Sequence, residues 1–555
     1  MLTLIVACGG GESNTLEPPI DMGRADPETS DTGGGESGGV DDEGDEGEVS
    51  DVLPWCAAIK GNGNRIFAHW GALARLSEHY GEPVGAVGGS SGSMTTFLTE
   101  ALTGGGLTQE CGEQACNPRE QGGRAALLYK SMSGAVRIST SLGGGGSINA
   151  LTKIYAEIQR RGIPALLSGN NPQEGVDALK GLLKSETLAG LVNPEILELL
   201  LTSPDPVVHA QDIVDALGGA LSFEAPTGLS FVRPGLVSWE YTATLMGRLG
   251  NFYAGQAPAD RDRIADWLNA CAEPTRGMSW QQARSVDDST GQTCGARFDA
   301  MFTDFILAWD EQPDAHHNRA SEPIGARGLS VALTGTIVGE AVEQWNRARG
   351  AYQAQRSTNF APSFSDVRAG YWSQDEIWAE IDAGLATRSD PLSTMRQHLG
   401  APRWLDVLAR SPAEPGLSDA RPTGSADIRT VGGWPDPVPS MVARAAGCEL
   451  VIAVNRPGEQ GSFMEGTTSA LGASQAVYDA LYDFEESSVF DSLTEADAVL
   501  CAEWDAPETT DLPGLFEAGY EAPVEIHNPV FHDVADPLPT AEDDIAVVGC
   551  TPGLR

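Results

Sequence analysis

Residues 88–92 read Gly88-Gly89-Ser90-Ser91-Gly92, the spacing G-x-S-x-G. A serine with glycines two places before and two places after it fits a sharp strand-to-helix turn, in which the hydroxyl stands clear of the backbone and can act as a nucleophile. The flanks agree. Residues 83–88 (PVGAVG) predict a short buried strand, and residues 94–102 predict a helix whose amino end brings unpaired amides and the positive end of its dipole beside Ser90. A Gly/Ser turn without chemistry is the plainer alternative for so short a match. About 25 residues earlier stands Gly61-Asn62-Gly63-Asn64-Arg65, directly after another apolar run, WCAAI at 55–59. In a parallel sheet the two loops leave the same edge. Backbone N–H groups of Gly61, Asn62 and Gly63 can then face a developing oxyanion, with Arg65 stiffening the loop or adding positive potential. A phosphate-binding loop competes with this reading, but no Gly-Lys-Ser/Thr follows and the glycines do not make G-x-G-x-x-G.

The elements that must hold these loops are readable too. Residues 66–80 (IFAHWGALARLSEHY) carry Phe67, Trp70, Leu73 and Leu76 at helical spacing, with His69 on the same helix under the glycine loop. Strand, loop, helix, strand, turn, helix is the cadence of a parallel sheet with crossover helices. From about residue 104 to 403 that cadence gives way to helix-like segments such as LTKIYAEIQRRG and DRIADWLNAC, separated by loops rich in Gly, Pro, Asp and Ser, with a strand possible at 329–338. Alternation returns at 404–409, 428–432, 448–455, 498–503 and 545–549, each a candidate strand. The expected fold class is α/β with a mainly parallel central sheet.

With these loops in order, the chain resembles the patatin-like phospholipases, which open with a strand, a Gly-Gly-Gly-x-Arg/Lys-Gly oxyanion loop, a helix, a strand and G-x-S-x-G. Two further stretches are similar. Leu408-Ala409-Arg410-Ser411-Pro412-Ala413-Glu414-Pro415 looks like the family's Ala-Ser-x-Ala-x-Pro segment. Residues 430–455 (TVGGWPDPVPSMVARAAGCELVIAVN) look like its Asp-Gly-Gly block with the turn, helix and strand that follow. The resemblance covers about 54–104 and 404–460. It implies a three-layer patatin-like fold in two parts, 53–104 and 404–555 (the latter with a C-terminal extension), interrupted at 105–403 by a large, mostly helical insertion or lid. It also implies a serine hydrolase of phospholipid or another acyl ester that needs no metal or cofactor, with Ser90 as nucleophile. In the family the Asp of Asp-Gly-Gly takes the serine proton and no histidine takes part. Here that position is Val431, which cannot accept a proton. Asp436, on the loop leaving the strand, is the carboxylate able to replace it, although between two prolines it also reads as an ordinary turn residue. Asp427 precedes the strand, toward its other end, since four extended residues span about 13 Å. The loop lacks two family glycines, at Asn62 and Ile66. Two functions therefore stand side by side: an acyl hydrolase using Asp436, or a patatin-like domain without its base that binds lipid or protein. An α/β-hydrolase with His527 or His532 in a triad is a third, and the early place of Ser90 argues against it.

Other reactive residues carry less. His527, His532, Asp533 and Asp536 fall in a Pro-rich stretch (EIHNPVFHDVAD) that reads as solvated surface, and His316-His317 has no partner that spacing identifies. No cysteine spacing reads as a zinc site. Of nine Cys, Cys8 stands apart; Cys111–Cys116 and Cys271–Cys294 are the expected local disulfides, while Cys56, Cys448, Cys501 and Cys550 lie in apolar runs and read as small core residues. Residues 4–9 (LIVACG) resemble a bacterial lipobox with Cys8 as the lipidated residue. Residues 1–7 lack a basic stretch and a long apolar run, so they read as part of a signal segment whose true start lies elsewhere. Residues 12–51 hold fourteen acidic side chains and one basic, Arg24, so residues 8–52 read as a self-repelling tether. The expectation is an exported, lipid-anchored protein of the periplasm or outer membrane of a Gram-negative bacterium, its partners a membrane and a lipid or acyl-ester substrate. The net charge of −43 argues against nucleic acid, and no apolar run is long enough to span a bilayer.

Overall fold

Uncharged apolar runs such as WCAAI and LVIAVN cannot leave either face in water, and they form the middle of the sheet. The computed structural model of the chain describes residues 52–61, 66–112, 114–141, 172–183, 239–309, 318–338, 367–389, 396–412, 438–455, 495–501 and 512–535, with a few isolated positions between them. The strands among them are β1 (Trp55–Ile59), β2 (Gly85–Gly89), β3 (Glu110–Cys111), β4 (Gln114–Ala115), β5 (Ser330–Val338), β6 (Val367–Ser373), β7 (Gln397–His398), β8 (Arg421–Pro422), β9 (Arg429–Thr430), β10 (Leu450–Asn455), β11 (Ala498–Cys501) and β12 (Val524–Ile526). Ten of them make one sheet in the order β12-β11-β10-β1-β2-β5-β6-β7, with β9 attached to β5 and β8 to β9. The five central strands, β11 to β5, run parallel. β12 is antiparallel to β11, β6 and β9 are antiparallel to β5, and β7 runs parallel to β6. The fold class is thus α/β with a mixed, mostly parallel sheet.

Side chains alternate between two apolar layers, as the two-residue period of a strand requires. Trp55, Ala57, Ile59, Ala86 and Leu333 pack with helices α1 (Ile66–Tyr80) and α2 (Ser91–Thr103), while Cys56, Ala58, Val87 and Ala332 pack with the helices Trp378–Ala386 and Ser440–Ala445. Helices therefore cover both faces. Two buried polar clusters lock the first layer. Glu78 of α1 takes Lys130 Nζ from α3 (Pro118–Ser141) and Tyr520 Oη at 2.5 Å, and Lys130 also donates to Thr275 O at 2.9 Å. Glu100, near the far end of α2, takes the Trp404 indole N–H, Arg319 Nη2 at 3.2 Å and Arg327 N at 3.1 Å. Burial pushes the Glu100 carboxyl above its usual range, an effect partly offset by the Arg319 guanidinium.

Three expectations are corrected here. Residues 105–403 are not one helical insertion: β5 pairs directly with β2 in parallel, and β6 and β7 continue the sheet outward. Thr334, Gly335 and Thr336 interrupt the apolar run of β5, which hides a central strand. Residues 404–409 are not a strand but the short helix Trp404–Leu408, with Trp404, Val407 and Leu408 buried at helical spacing. Cys56 and Cys448 are not separate core residues but a disulfide, because the parallel pairing of β1 with β10 brings their ends together. The local pairs Cys111–Cys116 and Cys271–Cys294 form as expected. Among the described residues no helix is long and apolar enough to cross a membrane.

Candidate active site

Register places the two loops read from the sequence on one edge of the sheet. Ile59 at the end of β1 is level with Gly88, and Gly89 is level with Thr334 of β5. Lys60-Gly61 and Ser90 thus leave adjacent strands at their carboxyl ends.

Ser90 has φ 51° and ψ −123°, and it is the one non-glycine residue with positive φ among the described residues. Side chains avoid this region because Cβ crowds the backbone, so the turn holds strain that the surrounding packing must maintain. The flanking glycines are needed for space. A Cβ on Gly88 would lie 2.4 Å from the Gly92 carbonyl oxygen, and one on Gly92 would lie 2.4 Å from that of Ile59. Ser90 stands at the amino end of α2, where a serine hydroxyl ordinarily caps the helix, yet it makes no capping bond. The Ser93 hydroxyl instead donates to Ser90 O at 2.6 Å. The Ser90 hydroxyl therefore stands at the positive end of the helix without a capping bond.

Gly61 touches Ser90. A Cβ on Gly61 would lie 2.8 Å from Ser90 Cβ and 3.0 Å from Gly89 O, so the Gly61 backbone packs against the Ser90 side chain. His69, one turn into α1, is buried and bonds the residue before Gly61. Its Nδ1 bonds the Thr95 hydroxyl of α2 at 3.1 Å, and its ring also bonds the backbone of Lys60. Burial pushes its pKa down to about 3, against the smaller opposing effect of the Lys60 bond, so the imidazole is neutral. His69 thus ties the start of the loop to the helix behind the serine.

One residue was quoted from the sequence only as part of a motif. The Ser411 hydroxyl accepts the Ser90 amide N–H at 3.0 Å and donates to Thr334 O at 2.8 Å. Spacing could not reveal this, because the partners are 321 residues apart.

Asn62, Gly63, Arg65, Val431, Asp436, Asp427, Cys8, Asp536 and His316-His317 lie outside the described residues. Their neighbours are described. Thr430 pairs with Ile337, beyond Thr334 on the carboxyl side of β5, and Val438 is buried with Ala453 and Val499. His527 is at the wrong edge. It follows β12, which is antiparallel, and its amide bonds Asp497 O at the amino end of β11. β12 is also four places from β2, about 19 Å at ordinary strand spacing. The His527 ring bonds Ala496 O and Glu525, and His532 and Asp533 are exposed on the following turn. None of these three reaches Ser90, which removes the triad reading. Compared with protein families, curated sequences and solved structures, the chain finds no match.

Proposed function

We propose that this chain is a patatin-like serine acyl hydrolase acting on a lipid or similar acyl ester. The observation that carries the reading is Ser90: a strained, uncapped serine at a helix amino end with a glycine backbone against its side chain. Ser90 Oγ attacks the ester carbonyl and its proton passes to a carboxylate, for which Asp436 is our assignment. Backbone amides of Gly61 to Gly63 hold the oxyanion, and Arg65 supports their loop. The alcohol leaves with the proton, and water then cleaves the acyl-enzyme by the same route in reverse. Supporting the family-level reading are the order β1, glycine loop, α1, β2, serine turn, α2 and the helices on both faces of the sheet. The helices between α3 and β5 serve in this reading as a wall or lid for the acyl chain. Three disulfides among the described residues fit an oxidising compartment, and with it the export and Cys8 lipid anchor at the periplasm or outer membrane.

The test is covalent labelling of the full chain with a fluorophosphonate probe, beside Ser90→Ala. Labelling that disappears in the variant supports an activated serine; a folded wild-type protein that never labels refutes it. That second outcome favours the reading in which Val431 marks a lost base and the domain binds lipid or protein without turnover, to be followed by vesicle binding.

A further inference from the structure

We propose that Ser411 is a positioning residue for the nucleophile, a role that rests on the acyl-hydrolase reading of Ser90. A strained φ persists only where contacts on several sides define it. On the sheet side, β2 leads into Ser90, and on the helix side the Ser93 amide and hydroxyl hold its carbonyl. Its own N–H points out of both elements. In a buried turn that donor needs an acceptor, and Ser411 Oγ supplies it at 3.0 Å. The Ser411 proton is committed to Thr334 O at 2.8 Å, which orients the acceptor lone pairs toward Ser90. Gly89 and Thr334 are paired in the sheet, so Ser411 joins the carboxyl ends of two adjacent strands and fixes the serine against both. Ser411 itself is fully buried.

This arrangement has two chemical consequences. The Ser90 N–H is used by Ser411 and is not an oxyanion donor, so oxyanion stabilisation must come from the glycine loop and the amides after Ser90. In addition, Ser411 does not touch the Ser90 hydroxyl in the described contacts, so it acts on the direction of Oγ and not on its proton. The segment bearing Ser411 is anchored independently of the serine. Trp404 N bonds Glu322 O at 3.0 Å, and its indole bonds Glu100 at the other end of α2. Residues 404–411 therefore hold α2 at both ends, and only the Ser411 end should affect reactivity.

Three variants of the full chain test this: Ser411→Ala, Ser411→Thr and Trp404→Phe. The readouts are fluorophosphonate labelling, turnover of a p-nitrophenyl acyl ester, and backbone hydrogen exchange of the peptide spanning residues 86–94. Ser411→Ala should label about tenfold or more slowly, since a reacting atom misplaced by about 1 Å costs of order a hundredfold. Its kcat should fall with KM little changed, and the peptide should exchange faster. Ser411→Thr, which keeps the hydroxyl, should recover much of the rate, and Trp404→Phe should label like wild type although its melting temperature falls. Wild-type labelling and exchange in Ser411→Ala would overturn the proposal, as would equal slowing in Trp404→Phe. If Ser411→Ala does not fold, a slow, fast-exchanging Ser411→Thr refutes it. If the wild type itself does not label while Ser411→Ala still exchanges faster, the hydrolase reading fails and Ser411 stands as the clamp of the turn.

Discussion

Acid should weaken the fold through His69, and the size of the effect follows from its burial. The ring is 1% exposed, held between Thr95 and Lys60, with its pKa pushed down to about 3 from the ordinary 6.5. Between these values the unfolded chain binds a proton that the folded chain does not, so stability falls as the pH falls through that window. At pH 5 the unfolded state is favoured by about 1.5 pKa units of proton binding, or about 2 kcal/mol at 1.36 kcal/mol per unit. At pH 7 the contribution is close to zero. His69→Gln has no such proton to take up. The stability difference between wild type and His69→Gln, measured by guanidinium unfolding with tryptophan fluorescence, should therefore narrow by about 2 kcal/mol from pH 7 to pH 5. A difference that stays constant would mean that His69 takes its proton inside the folded protein. The account of a sealed tie between the glycine loop and α2 would then be wrong.

Gly61→Ala should slow fluorophosphonate labelling about tenfold or more, because the new methyl would lie 2.8 Å from Ser90 Cβ and 3.0 Å from Gly89 O; labelling at the wild-type rate would show that the loop stands clear of the serine. Asp436→Asn should lower ester turnover by at least roughly tenfold, the low end of what losing a general base costs, and no change would move the base elsewhere. Cys56→Ala and Cys448→Ala should each cost about 2–5 kcal/mol in thermal or denaturant unfolding. The double variant should cost no more than either single one, since both remove the same bond.

The serine turn and the helices beside it were legible because their signals are local. IFAHWGALARLSEHY shows a helical face within fifteen residues, and G-x-S-x-G lies between a short apolar run and that helical pattern's successor. Cys111–Cys116 and Cys271–Cys294 are 5 and 23 residues apart, close enough for spacing to propose them. What spacing could not propose was every long-range partner. Cys448 is 392 residues from Cys56, and Ser411 is 321 from Ser90. Residues 404–409 failed for a different reason: WLDVLA is too short for apolar content to distinguish a strand from one helical turn, and burial of Trp404, Val407 and Leu408 with Asp406 between them decides it. β5 was left optional because a strand buried on both faces, and broken by Thr-Gly-Thr, lacks the alternation that marks half-exposed strands.

The strand order also sets a schedule for synthesis. β1 lies at the middle of the sheet, yet its two neighbours are made at very different times: β2 follows within thirty or so residues, while β10 arrives only with the segment that carries Cys448, 392 residues after Cys56. At translation rates of about 5–20 residues per second, one edge of an apolar, uncharged strand stays open for roughly 20–80 seconds. An unpaired edge of this kind is a template for mispairing with other chains. Among the described strands, β1 is thus the first to be made, and one of its edges is closed only when β10 arrives.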